Sequence, residues 1–291
     1  LKQKQFNLWI EKITLLVNNP LSEFNESFLK MEDPKKWINE SLKKFGFVPE
    51  LTSPNYIKLL KAKKGLAKAN FFLDQVDLIL ANSTDQETEI AKLIGEDEEL
   101  LKLVYSTGIR YSVHVLKAIF DVLDDLDLYP AHILELGGAN GWALSLLDEF
   151  FEDNCRLTLV EMNPVWKAVN PKINLVNLKY EDYHTDAKAD LIFSIFGAPY
   201  FGFEELVACA ARSLSDSGHF IAALRISNEV MLADFLKMCA TAGLEFDSNR
   251  SGKIAVKSPN GQERFPILVF SRGKSVEEAP FEFDLLRELS C

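Results

Sequence analysis

The chain has 291 residues, with 43 Asp and Glu against 32 Lys and Arg and a net charge of -11. Hydrophobic residues make up 47%, enough to build a packed core, so global disorder is excluded. The acidic balance argues against nucleic acid and anionic membrane as partners, and no uninterrupted apolar run is long enough to span a bilayer.

The length suits two domains, or one domain with an elaborate extension. The four cysteines, Cys155, Cys209, Cys239 and Cys291, form no C-x-x-C pair. Free thiols in a reducing, cytoplasmic setting are therefore expected. The chain opens on Leu1 rather than Met and shows no apolar signal core, as a processed or excised piece would.

From Phe6 to about Val104, apolar residues recur at three- and four-residue spacing, the period of amphipathic helices. Phe6, Trp9, Ile10, Ile13 and Leu16 give a first stripe. Asp33-Pro34 and Ser53-Pro54 each read as an N-cap followed by proline at the first helical position. Gly65 interrupts the second of these segments, and Phe71, Phe72, Val76 and Ile79 continue beyond it. Ser83 and Gln86 fit a capping box, Gly95 to Glu99 reads as a turn, and Gly108 opens another helix through Leu123. The lysines at 58, 61, 63, 64 and 68 read as a solvated face.

Near Pro130 the pattern changes. Short apolar runs begin at His132, Arg156, Ile173, Ala189 and His219 and alternate with helical segments. Two terminal strands, at Lys253–Val256 and Phe265–Phe270, flank Pro259-Asn260-Gly261. A last helix is expected over Phe281–Leu289. This alternation predicts an open α/β sheet covered by helices on both faces. The division expected is a helical cap or dimerisation domain over 1–124 and a Rossmann-like domain over 125–291.

The first strand candidate, His132-Ile133-Leu134-Glu135-Leu136, runs into Gly137-Gly138-Ala139-Asn140-Gly141. A glycine-rich turn between strand and helix lets backbone approach a ligand beside free helix N–H groups. Glu161 stands at the tip of the next strand, where a carboxylate can accept both hydroxyl hydrogens of a ribose. Together these indicate a nucleoside-containing cofactor. The spacing is G-G-x-x-G, not the G-x-G-x-x-G of dinucleotide sites. Glu135 suits a cationic ligand better than a pyrophosphate, which it would repel.

These residues resemble class I S-adenosylmethionine-dependent methyltransferases of the small-molecule type with an N-terminal helical extension. Leu134 to Gly141 is similar to motif I, with Ala139 in place of the middle glycine. Leu159-Val160-Glu161-Met162-Asn163 is similar to the second-strand motif and Ala189 to Ser194 to the fourth-strand motif. Ser213 to Phe220 resembles the turn into strand five, with Ser217 in place of its first glycine.

The resemblance implies a seven-stranded mixed sheet in the order 3-2-1-4-5-7-6, with strand seven antiparallel. It also implies S-adenosyl-L-methionine as cofactor. Glu135, Gly137, Gly138, Ala139 and Gly141 would line its methionine and ribose side, and Glu161 would hold the ribose. Met162 would lie against the adenine, with Asp182 (or Glu181) and Tyr183 nearby and Phe196 beneath the sulfonium.

The sulfonium supplies an activated methyl group, so the protein must align the acceptor and exclude water. An oxygen acceptor also needs a proton acceptor. His184 and His114 are the candidate bases. Arg110, Tyr111, Tyr200, Phe201 and Arg225 are candidate substrate contacts, and no metal triad occurs.

The expected function is methyl transfer to a small metabolite, at oxygen in first place and at nitrogen or carbon as the alternative. A non-catalytic nucleoside-cofactor-binding protein is a further alternative, and a nicotinamide-dependent oxidoreductase is disfavoured by the loop spacing and by Glu135. The helical region is a candidate homodimer surface.

Overall fold

The computed structural model describes residues 34–48, 53–83, 86–151, 155–197, 202–226, 229–258 and 261–273. The first apolar stripe, the Phe281–Leu289 helix, Tyr200 and Phe201 lie outside the described residues. Five helices come first: α1 (Pro34–Lys44), α2 (Ser53–Lys64), α3 (Leu66–Asn82), α4 (Gln86–Ile94) and α5 (Glu98–Leu126). Then follow β1 (His132–Leu136), α6 (Trp142–Phe150), β2 (Arg156–Val160), β3 (Ile173–Val176) and β4 (Ala189–Ile195). The chain continues through α7 (Phe203–Ser213), β5 (Leu214–Ala223), α8 (Glu229–Thr241), β6 (Leu244–Ser258) and β7 (Gly261–Arg272).

The seven strands form one sheet in the order β3-β2-β1-β4-β5-β7-β6. β1 to β5 pair in parallel, whereas β7 runs antiparallel to both β5 and β6. This is a Rossmann-like sheet in the order and strand direction that the resemblance to class I methyltransferases implies. From β1 the chain first moves outward to β2 and β3, then returns to place β4 on the other side of β1. That reversal opens a crevice at the carboxyl ends of β1 and β4, where open α/β sheets take their ligands.

Strand alternation divides the apolar residues between two faces. Ile133, Leu157, Leu191, Phe193, Ile221 and Val269 belong to one core with residues of α1 to α6. Leu134, Val160, Ile192, Phe220, Leu268 and Phe270 face the other core, under α7 and α8. The helical region therefore shares its core with one face of the sheet. The division expected at residue 124 falls in the last turn of α5.

Two local expectations are revised. α5 runs unbroken through Gly108, where the sequence suggested a new start. A mid-helix glycine costs about 1 kcal/mol relative to alanine; here the helix is held by packing over β4, β6 and β7. Asp97 caps it by accepting the Leu100 N–H at 3.0 Å. The lysine face is also not wholly solvated: Lys64 pairs with Asp97 at 2.8 Å and Lys63 with Glu99 at 2.6 Å, tying α2 to the start of α5.

Candidate functional site

β1 is buried along its whole length, so the chain leaves the sheet from the interior directly into the glycine turn. Gly137 has φ 73°, in the left-handed region. A side chain there would meet the Tyr180 hydroxyl at 2.3 Å and the Gly197 Cα at 2.6 Å, so only glycine fits. Ala139 adopts φ 56° and is 2% exposed, which shows that the turn keeps its left-handed bend with alanine at the middle position.

Glu161 closes the turn from the tip of β2. Its carboxylate accepts the Ala139 N–H at 3.0 Å on Oε2 and the Asn163 N–H at 2.9 Å on Oε1. Strand pairing aligns the two elements, with Glu135 opposite Leu159 and Leu136 opposite Val160.

Beneath the turn lies Glu135, 1% exposed. Its carboxyl group lies under Gly138, where an added Cβ would come 2.0 Å from Cδ. Burial pushes the carboxyl well above the usual carboxylate range; the Leu144 N–H at the start of α6 opposes this, and the charge of Glu161 reinforces it. Oε2 of Glu135 has no hydrogen-bond partner among the described residues. The same holds for both carboxamide atoms of Asn140, which is likewise 1% exposed. Buried polar groups without partners are rare and costly. Their presence at a glycine turn fits a polar ligand seated there.

The long helix α5 covers the carboxyl edge. Tyr105, half-buried, has its hydroxyl bonded by the side chain of Trp142, the first residue of α6. Burial pushes that hydroxyl above its ordinary range, and the charges of Glu135, Glu161 and Arg225 all act on it. Its ring meets Trp166 edge-on at 5.5 Å and Phe47 at 5.7 Å. The cap is thus anchored to the segment after β2. Further along α5, the Tyr111 hydroxyl donates to Glu263 at 2.7 Å, and its ring lies 5.2 Å from Phe265.

At the end of β4, Phe196 takes φ 57°, stacks against Phe265 at 5.0 Å and carries the Arg225 guanidinium 5.0 Å above its ring. Tyr180 crosses from the loop after β3 and donates to the Gly197 carbonyl at 2.6 Å.

Of the residues singled out by sequence, Glu135, Gly137, Gly138, Ala139, Gly141 and Glu161 converge on one turn. Met162 is 59% exposed beside Glu161. Phe196, Arg225 and Tyr111 form the neighbouring aromatic and basic wall, and Arg110 is carried on α5.

Four residues singled out by the sequence lie apart from this cluster. Tyr183 is 6% exposed and belongs to the core under α7, because Arg212 near the end of that helix binds its carbonyl at 2.9 Å. His184 follows it, exposed, and Asp182 is exposed in the same turn. His114 is half-buried nine residues beyond Tyr105, roughly 14 Å along the helix axis. Neither histidine reaches the turn.

Sequence reading missed Tyr105, Asn140, Trp166 and Tyr180. Asn140 stands inside the quoted motif and was legible as a polar residue in an otherwise small-residue turn. The aromatic three depend on contacts between segments distant in sequence and left no local signal.

No protein-family model matches the chain. No curated protein matches it either. Among solved structures it is similar to a TehB-like SAM-dependent methyltransferase from Corynebacterium glutamicum, at 18% identity and TM-score 0.40, over 53% of this chain and 87% of that one. It is similar to human N-acetylserotonin methyltransferase in complex with SAM, at 12% identity and TM-score 0.49, over 76% of this chain and 70% of that one. A third is the 1,6-didemethyltoxoflavin-N1-methyltransferase of Burkholderia thailandensis, at 15% identity and TM-score 0.40, over 54% of this chain and 77% of that one.

Proposed function

We propose that the protein is an S-adenosylmethionine-dependent methyltransferase acting on a small metabolite, with oxygen as the acceptor atom. One observation carries the reading. The Glu161 carboxylate closes on the Ala139 N–H at 3.0 Å over a turn whose buried Glu135 and Asn140 retain unpartnered polar atoms.

Glu161 and the backbone of residues 137–141 would hold the nucleoside, with Met162 against its base. When bound, the cofactor supplies a methyl group on a sulfonium, which leaves as a neutral thioether. A cation beside Glu135 would favour the carboxylate form that burial disfavours, whereas a pyrophosphate would oppose it, which separates this reading from a nicotinamide enzyme. Phe196 and the α5 cap exclude water from the crevice, and Tyr111 and Arg225 orient the acceptor. A nitrogen acceptor would use the same seat and release its proton to solvent, whereas a carbon acceptor, like oxygen, would also need a proton acceptor.

A second reading is a binding protein that has the cofactor seat but no methyl transfer. The observation that favours it is that neither His114 nor His184 reaches the turn. Calorimetric titration of the full chain with S-adenosylmethionine, S-adenosylhomocysteine and NAD tests the proposal. Binding of the first two and not the third is expected. Tight NAD binding, or no affinity for either sulfur nucleoside, sinks it. Methyl transfer to members of a metabolite panel then separates enzyme from binding protein.

A further inference from the structure

Arg225 follows β5 at the carboxyl edge, half-buried, and its environment is unusual for a cation. Its Nε is buried without a hydrogen-bond partner among the described residues. Its guanidinium lies 5.0 Å above the ring of Phe196, the residue directly after β4, with φ 57°. The guanidinium also comes so close to α5 that a side chain at Gly108 would meet Nη2 at 3.2 Å. Among the described residues no carboxylate forms an ion pair with it, although Arg250 and several lysines of this acidic chain find such partners.

An arginine held between an aromatic face and a glycine of a covering helix is pre-organised, with its planar fork fixed before a ligand arrives. A cation in such a position, without a counter-ion among the described residues, is suited to an anionic ligand. Gly108 lies three residues beyond Tyr105, about 4.5 Å along the helix axis. The fork thus meets α5 about one helical turn beyond the tyrosine that bonds Trp142.

We infer that Arg225, seated on Phe196 against Gly108, is the anion-binding group of this crevice and takes a carboxylate of the ligands that meet there. The inference rests on the proposed methyltransferase reading and sharpens it. Two ligands can bring that carboxylate: the amino-acid end of the methyl donor, or an acidic acceptor. Placement on Phe196 after β4, beside the covering helix, is compatible with both.

The experiment uses the full chain, its Arg225→Gln and Arg225→Lys variants, and calorimetry. The probes are S-adenosylhomocysteine, methylthioadenosine (the same nucleoside without the carboxylate) and benzoate, the last with and without S-adenosylhomocysteine present. A loss of tenfold or more for S-adenosylhomocysteine in the glutamine variant, with methylthioadenosine unchanged, supports the inference and assigns the carboxylate to the donor. Loss of benzoate binding alone supports it and assigns the carboxylate to the acceptor. In either case the lysine variant should recover part of the loss, since it keeps the charge and forfeits the fork.

Unchanged binding of every probe overturns the inference. So does an equal loss for S-adenosylhomocysteine and methylthioadenosine, which marks a structural role, as does wild-type protein that binds benzoate no better than the glutamine variant while the nucleosides are unaffected. If wild-type protein binds neither nucleoside, the methyltransferase reading fails separately, and benzoate on the unloaded protein still decides the role of Arg225.

Discussion

Replacing Glu135 by Gln makes the buried carboxyl group under the glycine turn measurable. The wild-type group is 1% exposed, and its proton is held well above the usual carboxylate range, chiefly by burial. In the unfolded chain the same group ionises at the ordinary value. From that value up to its native one, the folded state therefore carries a proton that the unfolded state has released. Stability must fall as pH rises through this window, by up to about 1.4 kcal/mol per pH unit for one proton. Glutamine keeps the shape and the acceptor for the Leu144 N–H but does not titrate. The variant should be closely matched to wild type near pH 4 and increasingly more stable than wild type as pH rises toward 7. His132 and His219, whose pKa values burial lowers, titrate in both proteins and cancel in the difference. Urea denaturation at half-unit pH steps gives the two curves. Parallel curves over this range would refute the account of Glu135 as a protonated buried group.

Three further outcomes follow from the geometry. Glu161→Ala removes the acceptor for two backbone N–H groups and should lower S-adenosylhomocysteine affinity at least about tenfold; a folded variant with unchanged affinity in calorimetry contradicts the assignment. Gly197→Ala would set a Cβ 2.2 Å from the Leu136 carbonyl oxygen and should cost about 1–3 kcal/mol in denaturant unfolding. Tyr105→Phe keeps the ring against Trp166 but leaves the Trp142 side chain, 1% exposed, without its partner. A loss of about 1–3 kcal/mol is expected in the same assay, and no loss would mean that another group takes over that bond.

Much of the fold was legible because local patterning and global arrangement agree. β1 and β2 were readable to the residue, since each is a short apolar run bounded by a turn. Gly65 does separate α2 from α3, as glycine in an otherwise helical stretch predicts. Gly108 carried the same local signal with the opposite result, because α5 is held against the sheet along its length. β6 and β7 are longer than their apolar centres, Lys253–Val256 and Phe265–Phe270, because antiparallel pairing recruits their polar flanks. At the site, the turn and Glu161 were readable because each sits at the end of a strand with a recognisable pattern.

The sequence by itself determined the alternating α/β plan, the glycine turn and the acidic residue at the next strand tip. These are encoded by contiguous residues and by short-range periodicity. Only the tertiary structure decided what surrounds that turn. It placed Tyr105 on Trp142, Tyr180 on Gly197 and Arg225 between Phe196 and Gly108, and it left His184 exposed. Such contacts join residues remote along the chain, and they are set by how helices and crossings pack on the sheet, which no local pattern specifies.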